Sequence, residues 1–173
     1  MRALTVSQVS LVLVVADRPK QLQEYQVRYP FHPQIPQVHL PSIGGIHLEW
    51  IRFNISAASH ESYIKIHASK EFNKAIEKIK YCVEMKRKKN LKLTIGLQMV
   101  LTPKCIGEVV PLAKLSSELG VDYLQVKHCS DTVENDLGFF ERLDEYHKFV
   151  PILKEAESYS NENLKVIVKW DKI

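Results

Sequence analysis

The stretch Arg52-Phe53-Asn54-Ile55-Ser56 alternates two apolar side chains with three polar ones. The same period-two pattern recurs further along. Between residues 91 and 102, Leu93, Ile95, Leu97, Met99 and Leu101 fall on one face and Thr94, Gly96 and Gln98 on the other. Between 121 and 129, Leu124 and Val126 oppose Gln125 and Lys127, and between 164 and 170, Val166, Val168 and Trp170 oppose Lys165 and Lys169. Strands of a parallel sheet are normally apolar on both sides, and desolvating Arg52 or Lys127 in a dry core is costly. The polar faces are therefore expected to line a wet lumen that holds a polar ligand. Ligands in such sheets sit at the carboxyl ends of the strands, which points to Ser56, Gln98 and Lys127. The competing reading has these side chains satisfied within the protein, or snorkelling at the sheet edge.

The elements that would carry these residues are regular from Trp50 onward. A strand over about 50–58 precedes a helix over about 69–90, with Phe72, Ile76, Ile79, Val83 and Met85 near one stripe and Ser69 as its N-cap. A strand ending before Pro103 leads to a helix over about 106–119 that stops at Gly120. A third strand, a helix over about 138–158 and a fourth strand follow. This alternation predicts an α/β fold, a partial (β/α) barrel fragment of about four regular units with parallel strands. The first 48 residues differ. They hold Pro19, Pro30, Pro33, Pro36, Pro41 and six glutamines but one lysine, and only residues 5–17 look like a strand. Two regions are thus expected, an irregular Pro/Gln-rich segment at 1–48 and the β/α unit at 49–173.

Composition excludes several classes. A net charge of +4, with lysines interleaved with acids, describes a solvated surface rather than a nucleic-acid footprint. No apolar run approaches the roughly 20 residues that span a bilayer. The basic start and short apolar stretch at the amino end imitate a signal peptide only faintly, because Ser7, Gln8 and Ser10 interrupt it. Cys82, Cys105 and Cys129 are too widely spaced for a metal knuckle and too few for a disulfide framework, so they read as thiols in a reducing cytoplasm.

Residues 50 to about 173 resemble the second half of a radical S-adenosylmethionine enzyme barrel, most strongly over 50–130, in the branch that often carries an extra cysteine-rich carboxyl-terminal domain. The resemblance rests on "IRFNISAAS" (51–59) followed by Tyr63 and Lys65-Ile66-His67, on "LTIGLQMVLTP" (93–103) and on "GVDYLQVK" (120–127), in order and at the expected spacing. It implies a (β/α)₆ barrel that binds S-adenosylmethionine against a four-iron four-sulfur cluster and cleaves it reductively to a 5′-deoxyadenosyl radical. It further implies that Asn54 and Ser56 hold the ribose, and that Gln98 and Lys127 face the methionine moiety or the substrate, a small molecule or a peptide. A hydroxyl or amide suits ribose hydroxyls and a lysine suits a carboxylate.

The chain departs from that pattern in three places. The Cys-x3-Cys-x2-Cys loop that supplies cluster thiolates is absent, and so is the Gly-Gly-Glu segment; Gly44-Gly45-Ile46 does not replace it. Cys105 stands where the family more often has asparagine. The expectation is therefore a piece of such an enzyme, inactive alone, with residues 1–48 foreign to it. The alternative is a non-catalytic α/β remnant or interaction module. Either could self-associate through an unpaired sheet edge.

Other candidates carry less. His67 could approach a ligand carboxylate but reads as a surface histidine. His128 and Cys129 are adjacent and point to opposite faces, which disfavours chelation. His32, His39 and His47 recur by chance, and Ser56, Ser59 and His60 lack a nucleophile elbow. No catalytic residue and no metal ligand is assigned.

Overall fold

The computed structural model describes residues 50–128 and 147–170 in full and, before them, the backbone of strands at 11–16, 22–27, 42–43 and 46–49. The chain is an α/β protein built on a seven-stranded sheet. Strands β1 (Leu11–Ala16), β2 (Leu22–Val27) and β3 (Ser42–Ile43) are joined antiparallel to one another or to β4 (Ile46–Asn54). From β4 the sheet continues in parallel through β5 (Thr94–Leu101), β6 (Tyr123–His128) and β7 (Lys165–Val168). The order across the sheet is β2-β1-β4-β5-β6-β7, with β3 paired to β4 off this path. The expected parallel β/α unit after residue 50 is thus present, as four strands in sequential order.

Two differences from the sequence expectation stand out. Among the first 48 residues, the strand foreseen over 5–17 is β1, but β2 and β3 form as well. The run Leu22–Val27 has no glycine or proline to break it and pairs with β1 in full register. In addition, β4 starts at Ile46, well before Trp50.

The helices sit where their apolar stripes require. Helix α1 (His60–His67) was not foreseen; a capping box between Ser59 and Ser62 starts it and Ala68, at φ 50°, ends it. Helix α2 (Phe72–Lys88) buries Phe72, Ala75, Ile76, Ile79 and Val83 and ends on Lys86, Arg87 and Lys88, which suit the negative end of the helix dipole. Its N-cap is Glu71 rather than Ser69, because α1 occupies the preceding turn; Ser69 Oγ accepts the Glu71 N–H instead. A 3₁₀ turn (Ile106–Glu108) leads into α3 (Val109–Leu119), which stops at Gly120 with φ 71°. The described part of the last expected helix is α4 (Val150–Glu157), with Pro151 in its first turn; residues 138–146 lie outside the described residues.

One core joins these pieces. Ile51, Phe53, Ile55, Ile95, Leu97, Met99, Leu101, Leu124, Val126, Val166 and Val168 from the strands pack with α2, α3 and α4. Every strand residue in this cluster belongs to the same alternate set, so α2, α3 and α4 cover one face of the parallel sheet. Each fully buried leucine or isoleucine contributes about 1.5–3 kcal/mol.

Candidate functional site

Sheet register sorts the residues of the other face into rows. Arg52 of β4 lies level with Gly96 of β5, which lies level with Tyr123 of β6 and then Lys165 of β7. One step toward the carboxyl ends, Asn54 lies level with Gln98, Gln125 and Ile167. A further step on, Val100 lies level with Lys127.

The second row is where two expected ligand residues come together. Asn54 and Gln98 are direct neighbours on adjacent parallel strands, and Asn54 Oδ1 and Gln98 Oε1 are both buried with no hydrogen-bond partner. Gln98 is only 6% exposed. A buried carbonyl oxygen left unpaired costs about 1–3 kcal/mol, so this pair is either a stability defect or a waiting acceptor site. Two adjacent amide oxygens accept from hydroxyl or amino donors.

The other two expected residues behave differently. Ser56 lies past the end of β4, and its hydroxyl is committed to β5: it accepts the Val100 N–H at 3.1 Å and lies 3.4 Å from the Val100 carbonyl. Lys127 sits on β6, one row beyond Gln125 and two strands from Asn54, and is half-buried. The structure therefore joins Asn54 to Gln98, ties Ser56 into the sheet and sets Lys127 apart.

The end of β4 is held firmly. The Ser56 N–H donates to His67 Nε2 at 3.0 Å. His67 is 6% exposed, 4.4 Å from the Tyr63 ring, and burial pushes its pKa down to about 4, so the neutral ring serves as the acceptor. The expectation of a surface histidine is thus corrected: His67 closes α1 and braces Ser56. Glu108 Oε2 accepts the Ala58 N–H at 2.8 Å and the Ser62 hydroxyl at 2.6 Å, clamping the same loop to the start of α3. Cys105 Sγ accepts the Thr102 N–H at 3.1 Å inside the turn after β5. An asparagine there could make the same contact.

In the first row, sequence reading placed Arg52 and Gly96 on the polar face but missed the cluster that Trp50, Arg52 and Tyr123 form there. A Cβ on Gly96 would fall inside the Tyr123 ring, so the phenol lies flat across the glycine toward β4. Trp50 stacks parallel to Tyr123 at 6.1 Å, and the Arg52 guanidinium lies 4.6 Å over Trp50. Arg52 Nε and Tyr123 Oη are buried without an aligned partner; the Trp50 N–H approaches the phenol without completing a hydrogen bond. Burial pushes the Tyr123 pKa up to about 12, opposed by Arg52. The available signal was Gly96 itself, since glycine inside a strand marks a close approach.

Elsewhere the expected alternatives do not assemble. Among the described residues, no three histidines, cysteines or acids gather as a metal site. Cys129, His32 and His39 lie outside the described residues, as does the side chain of His47. Ser59 caps α1, and His60 is exposed at its start. A groove of about 820 Å³ at the amino ends of the strands is lined by Lys86, Arg87, Ser117, Asp122 and Asn163. Its Asp122 is bonded to Lys86 and accepts the Ile95 N–H at 2.6 Å, so it reads as a brace.

Together the fold and the site define an α/β protein whose parallel sheet is apolar on its helix side and carries unpaired polar groups on the other. No protein-family model and no curated protein matches the chain. Among the described residues, no helix is long and apolar enough to cross a membrane.

Proposed function

We propose that residues 50–170 are the second half of a radical S-adenosylmethionine-type barrel, and that the row of Asn54 and Gln98 receives the sugar hydroxyls of such a ligand. The observation that carries this reading is the pair of adjacent, buried, unpartnered oxygens, Asn54 Oδ1 and Gln98 Oε1. Acceptors at the carboxyl ends of parallel strands suit hydroxyl donors. Lys127, further out, would meet the ligand's carboxylate or the substrate. Ser56 would act through the sheet, fixing β4 against β5 so that Asn54 and Gln98 stay level.

The iron–sulfur cluster is a different matter, because the thiols do not fit it. Cys82 lies on α2 with its pKa pushed up to about 11 by burial. Cys105 is buried inside its turn with its pKa raised by the same cause. The sequence has three cysteines and no Cys-x3-Cys-x2-Cys loop. We therefore assign the chain ligand binding only and leave the radical step to the parent enzyme. This same mismatch supports a second reading, a non-catalytic α/β module that associates through the β7 edge.

Calorimetric titration with 5′-methylthioadenosine, which keeps the ribose but lacks the amino acid, tests the proposal. Binding that Asn54→Ala abolishes supports it; no binding to a folded chain leaves the module reading. Sequencing the coding DNA upstream of the Trp50 codon in all three frames tests the ancestry. A frame carrying the three-cysteine loop supports a shortened enzyme, and none in any frame overturns it.

A further inference from the structure

The face opposite the helices has a one-sided charge pattern. Its described positions run Trp50, Arg52 and Asn54 on β4, Thr94, Gly96, Gln98 and Val100 on β5, Tyr123, Gln125 and Lys127 on β6, and Lys165 and Ile167 on β7, with Lys169 just past its end. Four of these are cationic, and no acid stands among the described residues of this face. The helix ends, by contrast, pair their lysines with nearby acids, as Lys65 with Glu61 and Lys88 with Glu84.

Within this face two donors converge. Gly96 has no side chain, so the Tyr123 ring reaches across it toward β4, where Arg52 lies level with Gly96 and its charge acts on the phenol. Tyr123 is 9% exposed and, apart from the approach of the Trp50 N–H, its hydroxyl has no aligned partner; Arg52 Nε is buried without an aligned partner too. The guanidinium rests 4.6 Å over the Trp50 ring. A buried guanidinium N–H beside a buried phenol is a costly arrangement unless an acceptor meets both.

We propose that Arg52 and Tyr123 form a subsite for a compact oxyanion, a carboxylate or phosphate, one row deeper than Asn54 and Gln98. The ligand of this face then carries an anionic group near its hydroxyl-bearing part. The inference rests on the reading of this face as a binding surface, not on S-adenosylmethionine as its occupant.

The test uses the full chain carrying Trp170→Phe, which leaves Trp50 as its one tryptophan. Its fluorescence is followed during titration with inorganic phosphate and, separately, with acetate, at constant ionic strength. Saturable binding of either is expected, and the tighter one identifies the group. Arg52→Gln should weaken it about tenfold or more, and Tyr123→Phe, which keeps the ring, by several-fold. Lys114→Gln, which removes a charge on α3, should leave it unchanged. Absence of saturable binding to the folded chain, or binding untouched by both Arg52→Gln and Tyr123→Phe, overturns the subsite. Failure of the methylthioadenosine titration alone leaves it standing.

Discussion

The two faces of strands β4 to β7 share one backbone and obey opposite rules. On the helix side, Ile55, Ile95, Leu97, Met99, Leu101, Leu124 and Val126 are all fully buried among other hydrocarbons. On the other side, four buried polar atoms, from Arg52, Asn54, Gln98 and Tyr123, find no partner. The first face follows from the hydrophobic effect and would be chosen by stability alone. The second opposes stability, since each orphaned group costs desolvation that nothing within the described residues returns. Polar groups held at such a cost are what the proposal of a binding face rests on.

The largest effect separating the faces comes from the helix side. Leu97→Ala removes a fully buried side chain from the centre of β5 and should cost about 3 kcal/mol, by lost transfer energy plus a cavity. Chemical denaturation should show a lower midpoint at unchanged slope. A cost below about 1 kcal/mol would mean that the helix side is not the close-packed face.

A comparable effect comes from the brace behind the polar face. The His67 pKa is lowered from 6.5 to about 4 by burial, so the unfolded chain binds the proton more tightly. Between those values the unfolded state carries more protons, and stability falls as the pH falls. The contribution is complete above about 6.5 and lost by about 4. A shift of that size corresponds to about 3 kcal/mol. Denaturation curves across this window should show the loss, and His67→Gln should flatten that part of the profile. Protonation also abolishes the acceptor for the Ser56 N–H, so the carboxyl end of β4 should loosen first, which amide hydrogen exchange at Ser56 and Ala58 would report.

Much of this contrast was legible in the sequence. Period-two alternation gave both faces of four strands and put Asn54 and Gln98 on polar ones. Sequence alone groups Asn54 with Ser56 and Gln98 with Lys127, however; the level pairing of Asn54 with Gln98 comes from the sheet register. What alternation could not give was partnership. Ser56 and Asn54 look equivalent in a strand pattern, yet the strand ends between them, so Ser56 bonds Val100 while Asn54 Oδ1 stays open. His67 looked like a surface residue because α1 was not foreseen; eight residues with weak amphipathicity depend on the Ser59 cap and on packing of Tyr63 and His67. Strand β2 was missed because proline-rich neighbours masked a six-residue run whose partner, β1, is close in sequence. The Tyr123 ring over Gly96 is a contact between neighbouring strands 27 residues apart, outside any local pattern.

That contact supplies a smaller, sharper test. Gly96→Ala adds one methyl group on the polar side, immediately beside Leu97, and the Tyr123 ring must leave the sheet to admit it. The cost should be about 2 kcal/mol, as for other overpacked sites. A double substitution with Tyr123→Ala should recover part of it, because the clash then has no second partner. Equal loss in the single and double variants would show that the backbone, not the ring, sets the requirement for glycine.

The smallest effect on stability is the most telling. Gln98→Met keeps the length and volume of the side chain and removes an amide whose oxygen has no partner. If the polar face served the fold, as the helix face does, losing Gln98 would destabilise the chain. If it serves a ligand, replacing an unsatisfied polar group by an apolar one of similar shape should be neutral or raise stability by about 1 kcal/mol. The same variant should lose binding of a hydroxyl-bearing ligand at the Asn54 row. A thermal melt and a titration on one protein preparation therefore divide the two meanings of a buried polar residue. Unchanged or higher stability with lost binding marks Gln98 as held for function, whereas a clear drop in stability would place it with Ser56 among the groups that hold the strands level.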